Sequence, residues 1–493
     1  MQGRYRQTKP TKCGGTDDGE SEHLIVPLKQ GNQPKGTLWR EGDAEFTELK
    51  EGQMAEAPTS RTVSTRLRQI ASLARDAPTM AFSNLAHHID LDLLREAHRR
   101  TRKDGAVGID RQTAALYAEN LEGNLQDLLE RSKSGRYQAP PVRRVHIPKE
   151  KLGETRPIGI PTFEDKVLQR AVAMVLEAVY EQDFLDCSYG FRPGRSPHQA
   201  MDSLWKQVMD MGGCWVLDID VKGFFDALDH KHLRSLLDRR VRDRGIRRLI
   251  GKWLNAGVME EGRVHRATSG TPQGGVISPL LANVYLHEVL DVWFKEDVKP
   301  RLQGQAFMIR YADDSLMAFS NESDARRVLE VLPKRLARFG LELNERKTKL
   351  VYFRKPGGGG PGKPGTFDFL GFTFYWSKTL KGGWAVKQRT AKSRLRRAMK
   401  RISEWCRKHR HWSLPAQQRA LSKQMSGHYA YYGRVGNMQS LVRFERLVAN
   451  IWRKWLSRRS QKAYLTLEQF WRLRDRWPLP RPRIIHSGRA ANP

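Results

Sequence analysis

The stretch Tyr311-Ala312-Asp313-Asp314 constrains the fold more than any other in this chain. It lies between two apolar runs, Phe307-Met308-Ile309 and Leu316-Met317-Ala318-Phe319, and that pattern predicts a hairpin whose turn presents two adjacent carboxylates. Adjacent carboxylates repel each other and are costly to keep ionised together. A divalent cation removes the cost, because Mg²⁺ takes hard oxygen ligands and joins carboxylates to substrate phosphates. Two such ions need a third carboxylate. Well upstream, the segment 214–226 supplies Asp220 at the end of an alternating run in which Trp215, Leu217 and Ile219 face one way and Val216, Asp218 and Asp220 the other. These aspartates converge only if their strands lie side by side. An isolated Asp-Asp more often marks an ordinary surface turn; the flanking apolar strands and the second Asp-bearing strand favour a site.

A chain of 493 residues is long enough for two or three domains with real cores. Its net charge of +33 points to a polyanionic partner, most simply nucleic acid, although charge alone also serves solubility. The charge is unevenly placed. Residues 1–60 hold 8 Lys/Arg and 10 Asp/Glu, whereas residues 381–493 hold 28 against 4. Eight of the thirteen tryptophans lie from Trp376 onward, and basic residues interleaved with aromatics suit phosphate contact with base stacking. Each tryptophan taken singly reads as core packing. The four cysteines are scattered without a paired spacing, which argues against a zinc site or a disulfide framework and fits a reducing cytoplasm. No apolar stretch reaches membrane-spanning length, and the polar N-terminus lacks a signal-peptide core, so neither membrane nor secretion is expected.

Residues 1–60 read as a flexible polar lead. Helical spacing begins at Leu67, Ile70, Leu73 and Ala74, and a second amphipathic segment follows at Leu91, Leu94 and Ala97. Residues 140–161 predict a β-hairpin whose prolines suggest edge strands. Residues 166–180 form a mostly apolar core helix, and the glycine-rich strip 355–365 is a loop between two strands. From Lys392 the pattern turns helical, with Leu395, Met399, Ile402 and Trp405 on one face and arginines on the others. Two further helices are expected, over 415–432 and 438–459.

Taken together, the motifs resemble those of group II intron-encoded reverse transcriptases and maturases. Tyr311-Ala312-Asp313-Asp314 is similar to the reverse-transcriptase signature, and Asp220 to Asp226 to the family's first catalytic motif. The stretch from Gly270 to Asn283 is the most family-specific. Supporting likenesses are Ser188 to Ser196, Arg156 to Pro161, Phe369-Leu370-Gly371-Phe372, Gly427-His428-Tyr429 with Tyr431-Tyr432-Gly433, and Pro480 to Ser487. The likeness covers roughly residues 65–490.

The resemblance implies an α+β, right-hand polymerase: fingers and a palm with an antiparallel catalytic sheet, followed by an α-helical thumb and maturase domain. The expected divisions are a lead over 1–60, N-terminal helices and fingers over 61–210, palm over 211–380, thumb over 381–460 and a basic nucleic-acid-binding segment over 461–493. It further implies that Asp220, Asp313 and Asp314, with the Val221 carbonyl, hold two Mg²⁺ ions, with Mn²⁺ as a substitute. Lys149 and Arg156 correspond to residues gripping the triphosphate, Gln273 to one lining the nucleotide pocket, and Phe225 to an aromatic gate against the 2′-hydroxyl. Each has a bland counterpart: solvated hairpin charges, a tight turn before a helix near Ser278-Pro279, and a core phenylalanine. Arg394, Arg397, Lys400, Arg401, Arg453 and Lys454 are the expected nucleic-acid contacts. Only six residues follow Ser487, and no paired cysteines are present, so the metal-dependent endonuclease appended in many members is not expected.

The implied function is RNA-directed DNA synthesis together with intron maturation. Its partners would be group II intron RNA, a template–primer duplex, target DNA and dNTPs, in the bacterial cytoplasm. The alternatives are a domesticated reverse transcriptase of this type in DNA repair or phage defence, and an RNA-binding splicing factor without polymerisation. Oligomeric state is not legible.

Overall fold

The computed structural model describes residues 58–148, 155–260, 263–265, 270, 274–357, 363–379 and 381–486. Lys149 and Gln273 lie outside the described residues, as does the polar lead before residue 58; Arg156 is described by its backbone alone. The chain opens with helices Pro58–Asp76, Leu91–Arg100, Ala114–Glu119 and Leu121–Ser134, which gather around a long helix, Phe163–Asp183. Thr162 caps that helix by accepting from the Asp165 amide at 3.2 Å. Leu168, Ala171, Val172, Val175 and Leu176 are fully buried, as an almost continuously apolar helix requires. In the first helix Ile70 and Ala74 face this core, but Leu73 is 56% exposed, so the expected face was one residue too wide.

The strands are β1 (Val142–Pro148), β2 (Thr155–Ile160), β3 (Gly213–Ile219), β4 (Val258–Glu260), β5 (Arg263–His265), β6 (Ala306–Tyr311), β7 (Asp314–Phe319), β8 (Lys349–Arg354), β9 (Phe367–Phe369), β10 (Phe372–Lys378) and β11 (Trp384–Thr390). The predicted hairpin is β1–β2, within a sheet of order β2-β1-β4-β5. Of the hairpin's two strands, β2 is at the sheet's edge and β1 is not. β1 also pairs with β4, through Val142 and Arg143 alone, and its Pro148 lies beyond that ladder, where a missing N–H costs nothing.

The central sheet has the order β6-β7-β3-β8, and every neighbouring pair is antiparallel. It is buried on both faces. Leu217, Ile219, Met308, Met317 and Phe319 enter one core with the long helix. Cys214, Val216, Phe307, Ile309, Leu316 and Ala318 enter a second, with the helix Pro197–Asp210 and the aromatic faces of β9 and β10. The period-two alternation read in the sequence therefore separates two cores rather than core from solvent. The antiparallel sheet expected of a polymerase palm is thus present, and the β1–β2 hairpin lies in the stretch expected to form fingers.

Beyond β11 come helices Lys392–Lys408, Leu414–Tyr432 and Met438–Leu456, close to expectation, and a fourth that was not foreseen, Leu467–Arg476. All four contribute to one core through Ile402, Met425, Tyr429, Phe444, Trp452 and Phe470.

Candidate active site

The hairpin β6–β7 closes with Tyr311 paired to Asp314 and a two-residue turn of Ala312 and Asp313. Ala312 has φ +57°, a left-handed conformation that costs a residue with a Cβ about 1 kcal/mol. Both aspartates are exposed at the sheet's end. Strand β3 lies directly beside β7, with Ile219 opposite Ser315 and Asp218 opposite Leu316. That register brings Asp220 to the same end as Asp313 and Asp314.

The segment after Leu343 wraps Asp220. The Asn344 amide donates to the Asp220 carbonyl at 2.8 Å, the Asp220 amide donates to the Thr348 hydroxyl at 3.4 Å, and the Lys347 ammonium donates to the carboxylate at 2.9 Å. Val221 is bridged to Leu343 on the same segment. Asp218 adds a fourth carboxyl beneath the three. Burial, then the charges of Asp314 and Asp220, push it up to about 7. Among the described residues, no set of three or more His, Cys, Asp or Glu side chains is drawn close enough to hold a metal ion. The donor set nevertheless fits a hard divalent cation: it is all oxygen, and its concentrated negative charge adds to burial in raising Asp218. In the described arrangement the Lys347 ammonium answers part of that charge.

Phe225 sits in a short helix, Phe224–Ala227, half-buried and edge-on to Phe224 with ring centroids 5.3 Å apart. The strip containing Gln273 is anchored close by at both ends. Gly270, with φ +89°, lies so near the Asp226 and Phe225 carbonyls that an added Cβ would stand 3.0 and 3.1 Å from them. Gly274, with φ +114°, leaves only 2.5 Å between such a Cβ and the Gly159 carbonyl of β2. Only glycine allows this approach in that conformation. Phe225, the two ends of the strip and the strand carrying Arg156 thus adjoin. Arg156 pairs with Ile147 near the hairpin's tip.

On the C-terminal helices, Lys400 is exposed and 3.9 Å from Glu404, and Arg401 is exposed. Arg394 and Arg397 are half-buried, and Arg394 borders Gly371 of the β9–β10 turn. Arg453 turns inward to the Leu465 carbonyl at 3.4 Å, while Lys454 lies over the Trp455 ring. The far end of Lys392–Lys408 carries a feature the sequence reading passed over. Trp405 and His409 stack at 4.7 Å, Trp412 meets His409 edge-on at 4.3 Å, and Arg407, Lys408 and Arg410 surround the cluster. Gln417 secures this corner by donating to the carbonyls of His409, Arg410 and Trp412.

Asp218 and Lys347 were also missed as site residues. Asp218 shares a strand face with Asp220 by simple parity. The run Glu345-Arg346-Lys347-Thr348-Lys349 immediately precedes β8, the other neighbour of β3, so its proximity followed from the sheet order alone.

Residues 147–374 match the family described as reverse transcriptase (RNA-dependent DNA polymerase). Group II intron-encoded protein LtrA of Lactococcus lactis subsp. cremoris is 39% identical over 224 residues, covering 43% of this chain and 37% of that protein. Protein YkfC of Escherichia coli (strain K12) is 38% identical over 233 residues, covering 46% of this chain and 61% of its own length. Nuclear intron maturase 1, mitochondrial, of Arabidopsis thaliana is 28% identical over 190 residues, covering 35% and 26%. The chain spans less than two thirds of the length of each of these relatives. No described helix is long and apolar enough to cross a membrane. Residues 147–374 thus match the reverse transcriptase family, and the chain is similar to a group II intron-encoded protein and to an intron maturase.

Proposed function

We propose that this chain is an RNA-directed DNA polymerase that also serves as an intron maturase. It would bind its group II intron RNA, favour the RNA's splicing-competent fold, and copy the RNA into DNA from dNTPs at an invaded DNA target. The observation that carries this reading is the register between β3 and β7, which brings Asp220 to the turn bearing Asp313 and Asp314.

Asp220, Asp313 and Asp314, with the Val221 carbonyl, would hold two Mg²⁺ ions or Mn²⁺ in their place. Such a pair, when bound, supplies positive charge to the attacking and leaving oxygens of a phosphoryl displacement. The remaining work belongs to the chain's own groups. The Phe225 ring would fill the space a ribose 2′-hydroxyl needs. Lys149 and Arg156 would grip the triphosphate, Arg through its planar fork. Gln273 would line the nucleotide pocket, whose ends Gly270 and Gly274 fasten to the Phe225 helix and to β2. The helix Lys392–Lys408 would follow the duplex backbone, and its aromatic, basic corner would meet unpaired RNA by stacking and phosphate contact. Maturation then requires only that the basic surface bind the active RNA fold better than its competitors.

Primer extension on an RNA template with the purified chain tests the reading. The wild type should extend with Mg²⁺ and Asp313→Asn should not. Equal extension by both would remove the proposed site.

A further inference from the structure

One charged side chain in the palm is fully enclosed. Arg310, the residue of β6 just before the signature turn, has no exposed surface. A guanidinium has five N–H donors and no acceptor. All five are used here. Nε and Nη2 donate to the two Asp291 oxygens at 2.7 and 2.5 Å. Nη2 also donates to the Ser188 hydroxyl at 2.8 Å. Nη1 donates to the Asn283 amide oxygen at 2.9 Å and to the Ala312 carbonyl at 3.0 Å.

The last contact matters most. The Ala312 carbonyl belongs to the peptide plane that leads into Asp313, so fixing it fixes the direction in which Asp313 leaves the turn. The same network approaches the turn from its other side. Asn283 donates to the Gly190 carbonyl at 2.7 Å, and Gly190 lies so close to the Ala312 amide that no Cβ fits between them. The segment ahead of Gly190 is tied to Arg310 by its backbone, through Arg310 to the Cys187 carbonyl at 2.7 Å and Tyr189 to the Arg310 carbonyl at 2.8 Å. Asp291 is itself wholly buried, on an unusual element. After the α-helix Ser278–Leu286 the chain continues as a π-helix, His287–Val298. Widened turns of this kind are rare and concentrate at functional sites. Asp291 lies within this segment and meets Arg310.

We infer that Arg310, oriented by Asp291 and Asn283, is the positioning residue of the Asp313-Asp314 turn. It holds Ala312 in its left-handed conformation and so sets where the two carboxylates stand. This rests on the function proposed above only in taking the turn as the metal-binding element. A lysine keeps the charge but has three donors, so it cannot serve Asp291, Ser188, Asn283 and the Ala312 carbonyl together. Groups that orient metal ligands without touching the metal typically carry about 10–100-fold of affinity or activity.

The test uses the full chain and two independent readouts: Mn²⁺ binding followed by electron paramagnetic resonance, and steady-state primer extension. Arg310→Lys should weaken Mn²⁺ binding and lower kcat, each by about 10–100-fold, with the dNTP KM within about threefold of wild type. Asn283→Ala removes two of the bonds and no charge, and should move both readouts the same way by less. It keeps the question open to decision if Arg310→Lys does not fold. A folded Arg310→Lys, or failing that a folded Asn283→Ala, with wild-type Mn²⁺ affinity and kcat would overturn the inference. So would a loss confined to thermal stability. A wild-type chain that binds Mn²⁺ but extends no primer would sink the proposed polymerase and leave the positioning role to be read from the metal titration.

Discussion

The palm and the C-terminal helices each present charge that suits the role proposed for them, but they hold it in opposite ways. In the palm the charges are few and their directions are set from beneath. Asp313 leaves a turn whose preceding carbonyl is bonded to a guanidinium with no exposed surface, and Asp220 is wrapped by the segment Leu343–Thr348. On the C-terminal helices the charges are many, and several are open to solvent. Lys400 is 71% exposed, its nearest acid is 3.9 Å away, and the core beneath fixes the helix rather than the ammonium. Chemistry at one phosphorus needs ligands placed to a fraction of an ångström. Attraction to a polyanion needs only positive charge near a backbone that repeats. Substitutions in the palm should therefore act on rate, and those on the helices on affinity and its dependence on salt.

The sharpest test of that contrast is Asp313→Asn. If Asp313 neutralises metal charge as proposed, its loss removes several kcal/mol of transition-state stabilisation, which is roughly 10³-fold or more in rate. RNA binding measured by filter retention should change by less than about twofold, because the proposed RNA contacts lie on the helices. A parallel loss of RNA affinity would show that the two regions do not divide the work.

Next in size is Gly190→Ala, which touches no substrate. An added methyl would sit 2.1 Å from the Ala312 amide, so the turn or the Cys187–Gly190 segment must move. Overpacking of this kind costs about 1–3 kcal/mol, visible as a lower thermal midpoint. A displacement of about 1 Å at the carboxylates can cost on the order of 10²-fold in extension. If the midpoint falls and the rate does not, the turn tolerates more movement than the contrast allows. Phe225→Ala is smaller and more specific. Opening a pocket by a ring should raise ribonucleotide incorporation by on the order of 10–100-fold relative to deoxynucleotides, read on a sequencing gel. Unchanged exclusion of rNTPs would remove Phe225 from the pocket.

The sequence exposed these two regions unequally, for physical reasons. Period-two alternation and a turn dipeptide are local signals, so β3, β6 and β7 were legible residue by residue, and the amphipathic helix from Lys392 nearly so. The network under the turn was not. Asp291 sits among Val289, Leu290, Trp293 and Phe294, and a charged residue in such a run reads as the exposed face of an ordinary helix. Its burial comes within a π-helical segment, which no spacing rule applied to the sequence anticipated. The hairpin β4–β5 has three residues in each strand, too few to show a pattern. The fourth C-terminal helix, by contrast, was available. Thr466 and Gln469 form a capping box there, a signal that spacing alone reveals.

The smallest expected effect falls on the helices and is best read as a slope. Replacing Arg394, Arg397 and Arg401 together by Ala removes charge from one stretch of Lys392–Lys408 without emptying the core formed by Ile402 and Cys406. Affinity for a primed RNA template at physiological salt should fall by no more than about tenfold, since the basic surface is shared among many residues. The slope of log affinity against log salt should drop by about 1 for each of the three that contacts a phosphate, and so by at most about 3. Arg394 and Arg397 are half-buried whereas Arg401 is exposed, so a change near 1 would assign the phosphate contact to Arg401 and leave the other two as packing against the palm. No change at all would move the main phosphate contact off these three arginines, with the Trp405–Trp412 corner and its Arg407, Lys408 and Arg410 next to test. A slope change accompanied by a rate defect at saturating template would instead mean that these arginines help place the primer terminus, and the division between a fixed palm and a loosely charged helix surface would have to be redrawn at Arg394, where the two regions touch.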